Sequence, residues 1–159
     1  MEVRGAEEGE VDRLSIIWYQ GWQDAHAHLL PEELARARTL ESLRARMAAA
    51  LPGVRAIGVS GTPLGFCMIK DDQLYQLYVS AEARGTGVAA ALVADAEARM
   101  RDAGVRVAWL ACAIGNARAS RFYEKCGWRL AGTVIEHLEL PTGTLDLEVW
   151  RYEKDLGAR

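Results

Sequence analysis

At Pro52-Gly53 the hydrophobic period of this chain changes, and neither an all-α nor an all-β fold can accommodate both halves. Before that point apolar residues recur at helical spacing. Leu14, Ile17, Trp18, Gly21, Trp22 and Ala25 mark a helix over 10–27, after a short first strand at Val3 to Ala6. Pro31-Glu32-Glu33 opens a second helix, with acids near its positive end, that runs through Leu40, Leu43, Met47 and Leu51. After it, short apolar runs at 54–59, 64–70 and 73–79 alternate with turn residues, the pattern of an antiparallel meander. A helix over 88–101 follows, with Val88, Leu92, Val93, Ala96 and Met100 facing inward, and Gly104 ends it. Residues 105–113 read as a strand apolar nearly throughout, as one buried on both faces would be. A helix over 117–126 closed by Gly127, and strands over 128–140 and 144–152 around Pro141-Thr142-Gly143, complete the chain. The predicted order is β-α-α-β-β-β-α-β-α-β-β: an α/β (α+β) fold with a mixed central sheet of about 6–7 strands flanked by four helices.

The 159 residues read as one domain, 1–159, large enough to bury a core without disulfide or metal staples. The net charge of −3 and the absence of a basic block argue against nucleic acid and anionic membranes as partners. The longest apolar run, Val107 to Ile114, is far short of the ~20 residues that a membrane span needs. The start of the chain lacks the basic-then-apolar order of a secretory signal. Cys67, Cys112 and Cys126 are scattered, with no metal-ligand spacing, so no metal site is expected and a reducing, cytoplasmic setting is.

Two segments carry chemistry. Leu77-Tyr78-Val79 ends a strand, Arg84-Gly85-Thr86-Gly87 forms a loop, and Val88-Ala89 opens a helix. The first amides of a helix lack intrahelical partners and sit at the positive end of its dipole, and glycines let an anion approach them. Such a junction suits a phosphate; it also serves as a plain tight turn. No Walker loop and no GxGxxG fingerprint is present. The second segment begins with Asn116, a natural N-cap, and reaches Phe122-Tyr123 two helical turns on.

Taken together, Arg84-x-x-Gly87-x-Ala89 and Asn116-x-x-Ala119-x-x-Phe122-Tyr123-Glu124-Lys125-x-Gly127-Trp128 resemble the GCN5-related N-acetyltransferase (GNAT) superfamily. The element order agrees from Val3 to Tyr152. The resemblance implies acetyl-CoA as cosubstrate and direct transfer of its acetyl group to a primary amine, a small molecule being favoured. It implies that Leu77, Tyr78 and Val79 receive the pantetheine arm and that the Val79 amide serves the thioester carbonyl. Arg84, Gly85, Thr86, Gly87, Val88 and Ala89 would hold the pyrophosphate. Asn116 and Ser120 would complete the cofactor site, and Tyr123 would protonate the leaving thiolate. Arg118, Arg121 and Lys125 stand as candidates for CoA phosphates or as a solvated helix face.

The sequence departs from the family in one respect. Many relatives carry a glutamate on the strand before the loop, where this chain has Gln73 and Gln76. The general base is then open among Asp72, His26, His28, His137 and water. A histidine base would give a kcat/KM limb near pH 6–7. Trp22, His28 and Tyr75 are the acceptor-side candidates. The alternative readings are a non-catalytic CoA-binding module and a protein acetyltransferase acting on N-termini or lysines; a homodimer is left open.

Overall fold

The computed structural model describes residues 1–157. Its strands are β1 (Val3–Gly5), β2 (Arg55–Ile57), β3 (Gly65–Lys70), β4 (Gln73–Val79), β5 (Val107–Ala113), β6 (Arg129–Leu140) and β7 (Gly143–Asp155). Its helices are α1 (Val11–His26), α2 (Glu32–Ala37), α3 (Leu40–Ala50), α4 (Val88–Asp102) and α5 (Ala117–Lys125). The strands form a seven-stranded sheet in the order β1-β2-β3-β4-β5-β7-β6. Every neighbouring pair is antiparallel except β4 with β5.

The strand order along the chain matches the expectation; the helices differ by one. The helix expected from Pro31 to Leu51 is two. Thr39 is extended (φ −81°, ψ 159°), and its side chain accepts the Ser42 amide, so it caps a new helix in the middle of the run. Among the described residues five α-helices flank the sheet where four were expected.

Two cores form, one on each face. Leu92, Met100, Leu110 and Trp128 pack between the sheet and α4 and α5. Leu14, Trp18, Leu43, Met47 and Phe66 pack between the other face and α1 and α3. A buried carboxylate ties the first elements together. Glu10 accepts two bonds from the Arg4 guanidinium (3.0 and 2.7 Å) and one each from the Glu7 and Gly61 amides. Arg4 thereby holds the Glu10 carboxyl below the usual carboxylate range, against the opposing effect of burial.

β5 departs from the expectation of burial on both faces. Ala108, Leu110 and Cys112 are buried on one face, but Trp109 and Ala111 on the other are only half-buried. The reason lies in the sheet. β4 and β5 pair at a single position, Gln73 with Trp109, and then part. Trp109 marks the point of the fork: its amide donates to the Asp72 carbonyl and its indole to the Asp72 carboxylate, each at 3.0 Å. Among the described residues no helix is long and apolar enough to cross a membrane.

Candidate active site

The fork between β4 and β5 opens a cleft of about 410 Å³. Its walls are the parted strands, the loop before α4, the inner face of α5 and the end of α1. Strand geometry dictates which backbone groups face it. The Ser80 amide bonds to the Leu64 carbonyl on the β3 side. In an antiparallel pair, bonding toward the partner alternates along the strand. Leu77 and Val79 therefore turn their N–H and C=O groups to the opposite edge, into the fork, where β5 no longer meets them. Both residues line the cleft, as does Tyr78.

At the wide end stands the start of α4. Gly85 (φ +78°) and Gly87 (φ +90°) both adopt left-handed backbone, which glycine enters without steric cost. A Cβ built on either meets nothing within 4 Å, so the glycines are required by conformation and by open approach, not by internal crowding. Among the described residues no side chain caps the helix. Its first amides are therefore free for a ligand, and Gly85, Gly87, Ala89 and Ala90 line the cleft around them. Thr86 and Val88 turn their side chains away. The Thr86 hydroxyl bonds to the Ala83 carbonyl and Val88 is buried in the core, so only their backbone can serve here. Arg84 lines the cleft while paired with Asp24 of α1 at 3.2 Å.

On the opposite wall, Asn116 caps α5 by accepting the Ala119 amide at 3.2 Å. Its carboxamide NH2 is not used in that cap, and the residue borders the cleft. Tyr123 also lines the cleft, with its ring edge-on to Phe122 and Trp128. Burial pushes its phenol well above the ordinary range, so it is a protonated donor at neutral pH. Ser120, expected with these residues, does not line the cleft; its hydroxyl bonds to Tyr152 at 2.8 Å. Cys112 lines the cleft, and burial holds its thiol at about 11, so it is not a thiolate nucleophile at neutral pH.

The acceptor-side candidates separate. Tyr75 lines the cleft. Trp22 is buried at 6% exposure and does not. His28 is exposed and lies outside the lining; its neighbour His26 lies within it. The His26 ring packs at a tilt of 52° against Trp22, centroid to centroid 5.6 Å, and among the described residues its Nδ1 has no hydrogen-bond partner. Burial, and secondarily the charge of His28, lower its pKa to about 4. His137 lies on the exposed β6–β7 hairpin against Asp146, away from the cleft. Asp72 is engaged at the fork.

Helical spacing gives Gly21 no role beyond its place on the α1 face, yet a Cβ there would come within 2.5 Å of the Tyr78 ring. A glycine inside an amphipathic helix costs about 1 kcal/mol against alanine, so its presence was a signal of close packing. Here it lets Tyr78 lie against α1.

The sheet forks beside a glycine-rich helix start, with an asparagine-capped helix opposite. The chain matches the family model described as the Acetyltransferase (GNAT) family over residues 14–128, and it belongs to that family. It is 37% identical over 78 residues to a Mycobacterium bovis protein described as an uncharacterized N-acetyltransferase. That match covers 46% of this chain and 50% of the relative, so it spans about half of each. Among solved structures, a GCN5-related N-acetyltransferase from Rhodopseudomonas palustris is similar with a TM-score of 0.73 and 19% identity, covering 96% of this chain and 94% of that one. The PaiA N-acetyltransferase of Thermoplasma acidophilum, solved in complex with coenzyme A, is similar with a TM-score of 0.64 and 20% identity, over 97% of this chain and 98% of that one. These likenesses establish the fold.

Proposed function

We propose that residues 1–159 act as one acetyltransferase unit that moves an acetyl group from acetyl-CoA to a primary amine, most simply on a small molecule. The observation that carries this reading is the fork, where unpaired Leu77 and Val79 backbone groups lead directly to the uncapped, glycine-lined start of α4. A pantetheine arm can pair along β4 as a substitute strand, and a pyrophosphate fits the free helix amides. The Thermoplasma relative was solved with coenzyme A, which supports the assignment.

Acetyl-CoA supplies an activated acetyl thioester. The Val79 amide orients the carbonyl and offers a hydrogen bond to the negative charge that grows on its oxygen. The bond from the amine nitrogen to the carbonyl carbon forms and the carbon–sulfur bond breaks. Tyr123 gives its proton to the sulfur, and the proton released by the nitrogen restores the phenol through solvent. Holding both reactants in one cleft supplies most of the acceleration. Cys112 stays a thiol, which favours direct attack over an acyl-cysteine route.

Deprotonation of the amine runs through ordered water beside Gln76 and His26, both in the cleft lining. At about 4, His26 is neutral throughout the physiological range and can accept a hydrogen bond there. Its limb in a pH–rate profile moves out of the 6–7 window that an unperturbed histidine would give. Replacing Tyr123 by Phe tests the reading. In an acceptor panel monitored by CoA thiol release, turnover should fall by roughly 10²-fold with acetyl-CoA binding retained. Unchanged turnover would remove Tyr123 from the chemistry.

A further inference from the structure

We propose that the acceptor amine carries an anionic oxygen group, a carboxylate in the first instance, and that Arg38 and Arg46 hold it beside Tyr75. The proposal rests on the acetyltransferase reading and names its substrate class.

Arg4, Arg13, Arg44, Arg55, Arg99 and Arg151 are half-buried, and each lies within 4.0 Å of a carboxylate. Arg38 and Arg46 are half-buried as well, and among the described residues neither has such a partner. Partial burial removes water that would stabilise a guanidinium, and an unpaired charge in that position carries an uncompensated desolvation cost. The two also oppose each other. Burial first, and the Arg46 charge second, lower the Arg38 pKa, although arginine stays protonated. One anion bound between or beside them would relieve both costs.

Their position ties this charge to the cleft. Arg38 ends α2 and Arg46 lies on α3, so the helix break at Thr39 brings the two onto one side. Arg46 is held in place: Nη2 donates to the Tyr75 hydroxyl at 2.8 Å, and its guanidinium lies 4.6 Å from the Trp18 ring centroid. Tyr75 sits at a bulge in β4. Met68 pairs with Gln76 and Ile69 with Leu74, leaving Tyr75 without a register partner. Bulges re-aim side chains next to active sites, and here the residue spans from the cleft lining to Arg46. Tyr78, also in the lining, lies in the field of both arginines. Lys70 adds a third cation 5.4 Å from the Tyr75 ring centroid. Glu136 lies in the field of Lys70. None of these cations lines the cleft itself; Tyr75 connects them to it. A neutral alkylamine would leave them unanswered, whereas an amino acid or an aminophosphonate reaching past Tyr75 answers them with charge-assisted, bidentate bonds.

The test is a matched acceptor panel at saturating acetyl-CoA: glycine, 4-aminobutyrate, 6-aminohexanoate, the α-amino acids and aminomethylphosphonate, each against its amide or the corresponding alkylamine. The anionic members should show kcat/KM about tenfold or more above their neutral partners, the scale of one lost charge-assisted bond. Arg38→Gln and Arg46→Gln should each raise KM for the anionic member by about tenfold, with the calorimetric affinity for acetyl-CoA retained. Tyr75→Phe keeps the ring and removes the anchor; it should give a smaller rise in KM, which guards against misfolding of the arginine variants. Preference for aminomethylphosphonate over the amino acids would identify a phosphonate or phosphate as the anion, within the same proposal. Equal use of acids and amides, or KM unchanged in both arginine variants, overturns it while leaving the transferase reading in place. Where no member is acetylated, calorimetry of the panel against the CoA-saturated protein decides: no binding by any anionic member overturns the proposal. Loss of acetyl-CoA binding by the wild type is instead the failure of the transferase reading.

Discussion

His26 offers a stability measurement whose size follows from its surroundings. Burial beside Trp22 lowers its pKa from 6.5 to about 4 in the folded chain, while the unfolded chain keeps the ordinary value. Between those values the unfolded state binds the extra proton, so stability is complete above about pH 6.5 and is lost as pH falls toward 4. Integrating the two titrations from pH 7 to pH 5 gives a loss of about 2 kcal/mol from this single group. Carboxylates such as Glu10 titrate lower down, and subtracting a non-titrating variant removes their contribution. His26→Asn preserves a polar atom near Nδ1 and removes the titration. Urea unfolding of both proteins at pH 7 and pH 5 should show the wild type losing about 2 kcal/mol more than the variant, or ~4–8 °C in Tm for a domain of this size. Equal losses in the two proteins would refute the burial argument. They would also return His26 to the group of ordinary histidines able to act as a base near neutrality.

Gly87→Val should abolish measurable acetyl-CoA affinity by calorimetry. Its Cβ would meet no protein atom within 4 Å, but it would occupy the approach to the α4 amides and strain a backbone at φ +90°; wild-type affinity would contradict the loop assignment. Glu10→Ala should destabilise the fold by about 3 kcal/mol in chemical denaturation, because it strips Arg4 of its bidentate partner and two amides of their acceptor. A loss under about 1 kcal/mol would show that Arg4 finds water instead.

What the sequence determined by itself was local. The Leu77–Ala89 junction is legible because a strand end, two left-handed glycines and a helix start are contiguous, and backbone conformation answers mainly to neighbouring residues. Asn116 is legible for the same reason, as a cap three residues from its donor. The element order follows from hydrophobic period, and the two motifs at their spacing carry the family. Thr39 is the local exception: a capping residue inside a long apolar pattern ends one helix and starts another, and periodicity alone reads through it. The fork could not be read, since Asp72 and Trp109 are 37 residues apart and β4 meets β5 only through the crossover by α4. Nor could the difference between His26 and His28, which are neighbours in composition and sequence; only the packing of the end of α1 against the cleft buries one and exposes the other. Nor could the role of Arg38 and Arg46, since only the tertiary structure sets Arg46 on the Tyr75 hydroxyl, brings Arg38 into the same field and, among the described residues, places no carboxylate within 4.0 Å of either. Pairing, burial and charge compensation depend on which distant elements arrive at the same place, and that information lies in the packing of the whole chain rather than in any window of it.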